Sequence, residues 1–128
     1  MTDLYQTADW KGEKHVPVIT APDTVKKGEV VKIKIMVGKE IPHPNTTEHH
    51  ISWIDLTFLP DGEKYPYHIG KADFIAHGAS VSGPNTSTVY TDPKALFLLK
   101  TEKSGKLIAT SFCNIHGFWK HEKELKVE

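Results

Sequence analysis

The stretch Val31-Lys32-Ile33-Lys34-Ile35-Met36-Val37 decides the fold class. Its apolar residues fall at every second position, and a period of two places them on one face of a strand. Lys27-Gly28 before it and Gly38 after it are turn chemistry at both ends. The same pattern recurs along the chain. Ile51 to Leu59 reads as a second strand, with Ile54, Leu56 and Phe58 on one parity, closed by Pro60-Asp61-Gly62. Tyr65 to Ile75 returns from that turn as its hairpin partner. Gly78 to Thr88 is rich in Gly, Pro, Asn and Ser and reads as a long loop with limited strand content. Ala95 to Leu99 is apolar without interruption, as expected of a strand covered on both faces. Lys103-Ser104-Gly105-Lys106 makes a hairpin turn into Leu107 to Phe112. Leu125 and Val127 alternate with charges in a terminal strand. No window sustains a helical period. About seven short strands separated by turn signals predict an all-β sandwich.

The 128 residues form one domain, residues 1–128, with room for a single sizeable core. Sixteen basic residues, every one a lysine, balance sixteen acids. No net-basic field draws the chain to nucleic acid, and no run of like charge suggests a membrane surface. The start, Met1-Thr2-Asp3-Leu4-Tyr5-Gln6, lacks the basic residues and apolar run of a signal peptide. No segment approaches the ~20 apolar residues that span a bilayer. These features read as a cytoplasmic protein.

The chemistry concentrates in Ser111-Phe112-Cys113-Asn114-Ile115-His116-Gly117-Phe118-Trp119, which carries the only cysteine. One thiol excludes an internal disulfide, a tetrathiolate zinc or iron centre, and an iron–sulfur cluster held by this chain alone. Any metal must therefore be bound mainly by histidine, of which there are eight. Cys113 and His116, presented together on a tight turn, make half of a transition-metal site. Ionising an ordinary thiol at neutral pH costs only ~2 kcal/mol, which a metal–ligand set supplies easily.

The other donors must come from elsewhere in the chain. His15 lies in Glu13-Lys14-His15-Val16-Pro17, ahead of the first strand. His43 stands between Pro42 and Pro44, whose fixed φ angles hold it extended and lower the entropy lost on immobilising its ring. His49 and His50 follow at the start of a strand, where neighbours point to opposite faces and one of the two reaches a shared metal. His50 has the parity of Ile54, Leu56 and Phe58 and leans toward the core side, leaving His49 for the other direction; parity at a strand's first residues leaves the choice open. His68, His77 and His121 stand alone and read as structural or solvated.

Four imidazoles and a thiolate are one ligand too many for structural zinc, which is satisfied with four. A blue-copper electron carrier also places Cys and His on a loop between strands, but adds a weak axial methionine soon after the histidine. Gly117, Phe118 and Trp119 occupy those positions, and the methionines are Met1 and Met36. Iron with four histidines, an axial thiolate and one open position fits best, with a cupredoxin-like copper protein as the alternative.

The blocks Glu13 to Pro17, His43-Pro44-Asn45 through Glu48-His49-His50-Ile51, and Cys113-Asn114-Ile115-His116-Gly117 closely resemble superoxide reductase. Ala76 to Ser80 and Gly83-Pro84-Asn85-Thr86-Ser87 are similar to the same family. The likeness covers essentially the whole chain, and the single cysteine matches the one-iron class, the neelaredoxins. It implies an immunoglobulin-like seven-stranded β-sandwich with one mononuclear non-haem iron that reduces superoxide to hydrogen peroxide. It also implies His15, His43, His49 and His116 as equatorial ligands and Cys113 as the axial one, choosing His49 over His50. Glu13 matches the carboxylate that takes the sixth position in the oxidised resting state. Lys14 matches a functional lysine that attracts the anion and helps deliver a proton. A rubredoxin-like electron donor and a homotetramer are further expectations from the likeness. Backbone N–H groups of Ile115 and His116 are expected to hydrogen-bond the sulfur and tune its donation.

Overall fold

The computed structural model describes residues 4–128; Met1, Thr2 and Asp3, part of the start read above as lacking a leader, lie outside the described residues. The strand-length alternation produces eight strands: β1 (Pro17–Thr20), β2 (Thr24–Val25), β3 (Val30–Val37), β4 (Ile51–Pro60), β5 (Tyr67–Asp73), β6 (Lys94–Lys100), β7 (Gly105–Cys113) and β8 (Gly117–Val127). They form two sheets, β1-β3-β6 and β2-β8-β7-β4-β5. Among the described residues there is no helix, and hence none long and apolar enough to cross a membrane.

The two sheets share one core. Ile33 and Ile35 of β3 are fully buried and meet Ile54 and Leu56 of β4 and Leu107 and Ala109 of β7 in a single apolar cluster. Burying each such large side chain contributes roughly 1.5–3 kcal/mol. The lysines between them stay outside, as the period of two requires. The sandwich is the expected all-β architecture, with eight strands rather than seven. β1 and the two-residue β2 are the strands that no run in the sequence marked; β2 pairs parallel to the end of β8 and is too short to show a period.

Three local expectations are corrected. Lys103 to Lys106 is not a hairpin turn, because β6 and β7 belong to different sheets and the segment carries the chain across the sandwich. Beta-hairpins and sheet-crossing connections use the same turn residues, so the sequence pattern does not separate them. β6 is not covered on both faces: Leu96 and Leu98 are exposed while Ala95 and Leu99 are buried. The terminal strand is also longer than Leu125 and Val127 imply, beginning at Gly117 and pairing with β7 from Gly117 to Leu125.

Two connections serve the site. β7 and β8 meet in a tight hairpin whose Cys113↔Gly117 pair encloses Asn114, Ile115 and His116. Gly117 has φ 80°, the left-handed conformation that closes such a turn and that glycine adopts without a Cβ clash. Between β3 and β4, residues 38–50 form the arm that carries His43 and His49. Gly38 begins it at φ 82°, and a Cβ there would lie 2.8 Å from the His43 backbone nitrogen. The chain therefore needs glycine to double back this closely.

Candidate metal centre

His15 sits just before β1, its backbone oxygen accepting from Ser111 Oγ of β7 at 3.4 Å. This bond ties the first donor to the strand that ends in Cys113. The rigid Pro42-His43-Pro44 segment brings in the second, and the end of the arm brings in His49. The β7–β8 hairpin adds Cys113 and His116. Donor atoms of His15, His43, His49 and Cys113 all lie within 4.8 Å of one another. His116 sits against this group, its Nδ1 3.1 Å from His15 Nε2 and 3.8 Å from Cys113 Sγ.

The four imidazoles close a ring. Centroids are 4.8 Å apart for His15–His43, His43–His49 and His15–His116, and 5.1 Å for His49–His116. Every neighbouring pair is edge-on or tilted rather than stacked, so the rings turn their edges toward a shared centre. Cys113 is fully buried and approaches from the core, while His116 is exposed at the outer rim.

Ring orientation is set from outside the centre. Pro44 O lies 2.7 Å from His43 Nδ1, which makes that nitrogen the N–H and leaves Nε2 as a lone pair. Glu13 Oε1 lies 2.6 Å from His15 Nδ1 and also accepts the His15 backbone N–H at 3.1 Å. His15 stacks on Trp119 with centroids 4.8 Å apart and planes at 13°. His43 Nε2 and His49 Nε2 are buried and have no hydrogen-bond partner. Buried polar atoms are ordinarily paired, so two orphaned ring nitrogens among other donors fit a metal ion.

Burial keeps the His15, His43 and His49 rings neutral and ready to ligate. Burial pushes the His43 pKa down to about 4, against the hydrogen bond to Pro44 that opposes the shift. Burial likewise lowers His15 and His49, with the neighbouring rings adding to the effect. Glu13 behaves oppositely: burial would raise its carboxyl, but hydrogen bonds from His15 outweigh this and hold it below the usual range. The histidine shifts set a pH dependence for the metal-free protein. The folded state holds its proton less tightly than the unfolded chain, so protons favour unfolding between about pH 6.5 and about 4. Urea unfolding of metal-free protein should show a lower midpoint at pH 5 than at pH 7; equal midpoints would contradict the buried, neutral His43.

The sulfur accepts one backbone hydrogen bond, from His116 N–H at 3.3 Å. The second one expected, from Ile115, is not among the hydrogen bonds of the described residues. Lys14 is half-buried beside His15, and its charge is among the causes that lower His15, His43 and His49, after burial. The remaining histidines lie elsewhere: His68 pairs with Asp55, and His121 Nδ1 accepts the Ile19 N–H.

His50 is not the ring that joins the centre. A β-bulge between Ile51 and Trp53 shifts the β4–β7 register, so Ile51 and Ile54 are both buried. Counting parity back from Ile54 therefore fails at the bulge, and His49, with the parity of Ile51, turns inward. His50 instead stacks on His77, with centroids 3.5 Å apart. Two supporting residues had no signal as site residues. Asn114 joins hairpin to arm, its side chain accepting from His50 N–H at 2.8 Å and donating to Glu48 O at 2.9 Å. Trp119 carries the His15 ring by stacking on it, a role nothing in its sequence neighbourhood marks.

Residues 7–122 match the model of the desulfoferrodoxin family. The superoxide reductase of Pyrococcus furiosus is 59% identical over 126 residues, covering 98% of this chain and 99% of the relative. The neelaredoxin of Megalodesulfovibrio gigas is 48% identical over 128 residues, covering 100% of this chain and 98% of the relative. The solved superoxide reductase (neelaredoxin) of Archaeoglobus fulgidus, in its reduced form, superposes with a TM-score of 0.90 at 64% identity. That alignment covers 97% of this chain and 99% of the other.

Proposed function

The chain belongs to the desulfoferrodoxin family and is a superoxide reductase, and on that premise we propose that one mononuclear non-haem iron is held by His15, His43, His49, His116 and Cys113. The observation that carries this reading is the closed ring of four imidazoles beside a buried thiol, with two ring nitrogens left unpartnered. Four nitrogens and one sulfur exceed what structural zinc uses. The copper alternative fares no better, since a blue-copper site takes two histidines and a cysteine.

When bound, the iron supplies the single electron that superoxide gains, and a thiolate ligand enriches it in electron density. The remaining tasks fall to the chain. Lys14 attracts the superoxide anion into the exposed side of the site and orders the water that brings its protons. His116 N–H, donating to the sulfur, limits how much charge the thiolate gives away. Balanced, superoxide, one electron and two protons give hydrogen peroxide. A rubredoxin-like protein returns the electron, and the whole chain, residues 1–128, acts as one domain within a homotetramer. We place the reaction in the cytoplasm, where an unpaired thiol such as Cys113 stays reduced.

Glu13 has two tasks. In the geometry seen here it orients His15 through Nδ1; in the oxidised resting state it is the candidate for the sixth position. Glu13→Ala should therefore change the ferric visible spectrum and loosen iron by about tenfold, the low end for a carboxylate behind a histidine ligand. An unaltered ferric spectrum would remove the sixth-ligand role, and unaltered iron affinity the orienting one. Metal analysis of purified protein tests the proposal as a whole: about one iron per chain supports it, and copper or zinc in its place overturns it.

A further inference from the structure

Residues 76–91 lie against the arm that carries His43 and His49, and one residue makes most of the grip. Asn85 has φ 56°, the one non-glycine in the left-handed region among the described residues. Its Oδ1 accepts the Thr47 N–H at 2.9 Å, and its own N–H donates to Thr47 Oγ1 at 3.1 Å. Its Nδ2 donates to both carboxylate oxygens of Glu48, at 2.9 and 2.8 Å. Thr47 Oγ1 in turn donates to His77 O at 2.6 Å, which anchors the contact to the base of the same segment.

Thr47 and Glu48 are the two middle residues of a tight loop closed at its ends by Thr46 and His49. The Thr46 N–H donates to His49 O at 2.9 Å, and the His49 N–H donates to Thr46 Oγ1 at 3.0 Å. Asn85 thus grips the tip of a loop whose last residue points an unpartnered ring nitrogen into the metal centre. The residue type is specific to the task. Thr47 N–H offers a donor and the Glu48 carboxylate an acceptor, and a side-chain amide answers both at once. Aspartate would set two carboxylates against each other. Asparagine also tolerates the left-handed backbone better than most side chains.

We propose that Asn85 is a positioning residue for the metal centre: it holds the Thr46–His49 loop closed, so that His49 meets the other donors in ligating geometry. This rests on the reading of His49 as a ligand. The test measures release of ferrous iron from reduced holoprotein into excess chelator, beside urea unfolding of the metal-free protein. Asn85→Gly keeps the left-handed backbone accessible and removes only the amide. It should release iron about tenfold faster, within the range for outer-shell partners of a ligand, while the metal-free unfolding midpoint stays near that of the parent. Asn85→Asp should release iron at least as fast, because it keeps the acceptor and loses the donor. Glu48→Ala, measured alone and added to Asn85→Gly, should add little to the latter, since the Glu48 carboxylate reaches the loop contact through the Asn85 amide. Release at the parental rate from Asn85→Gly, or full additivity of the pair, would overturn the proposal. His49→Ala separates the two readings: if it retains iron like the parent, His49 is not a ligand and that reading fails instead.

Discussion

Cys113→Ser is expected to lower the affinity for ferrous iron more than about a hundredfold and to remove superoxide reduction with it. Partners that merely support a ligand cost 10–100-fold when lost, and the ligand itself stands beyond that range, so the figure is about the least to expect. Serine would fit the space, and the His116 N–H that now donates to Sγ at 3.3 Å could still find an oxygen. The fold should therefore survive. What is lost is the soft donor: a buried hydroxyl remains protonated near neutral pH and neither anchors the iron nor enriches it in charge. Elemental analysis together with the unfolding midpoint checks this. Iron bound at parental stoichiometry, with activity intact, would show that the sulfur is dispensable.

Lys14→Ala is expected to slow superoxide capture about tenfold at low ionic strength, with the gap closing as salt is added. The charge of Lys14 is felt at three of the four rings, after burial the shared reason that His15, His43 and His49 give up protons easily. A positive charge that disfavours a proton there favours an approaching anion for the same reason. Lys14→Arg should restore the salt dependence, because it restores the charge. Stopped-flow rates across a salt series decide the matter. A rate for Lys14→Ala equal to the parent at low salt would remove the steering role.

The sandwich, and His43, Cys113 and His116 as candidate site residues, were legible because their signals are local. The alternation of Val31, Ile33, Ile35 and Val37 survives unchanged as the inward face of β3. Two prolines around His43 and a cysteine three residues before a histidine needed no tertiary information either. What escaped depends on partners distant in sequence. The bulge opposite Cys113 reverses the parity of everything before Ile51, and nothing in Ile51-Ser52-Trp53 marks it. The crossing from β6 to β7 uses turn residues that serve a hairpin equally well. The hydrogen bonds from Asn85 to Thr47 and Glu48 bridge 38 and 37 positions, and the Asn114 bond to Glu48 bridges 66. An asparagine in a Gly-Pro-Asn-Thr stretch reads as turn chemistry until its partner is seen across the gap.

The site's arrangement makes a claim about products that is open to direct count. Reduced protein should be mixed anaerobically with superoxide in a stopped-flow instrument, with iron oxidation, hydrogen peroxide and dioxygen all followed. One hydrogen peroxide is expected per superoxide consumed and per iron oxidised, with no dioxygen formed. One hydrogen peroxide for every two superoxides, accompanied by dioxygen and no lasting oxidation of iron, would mean dismutation and contradict it.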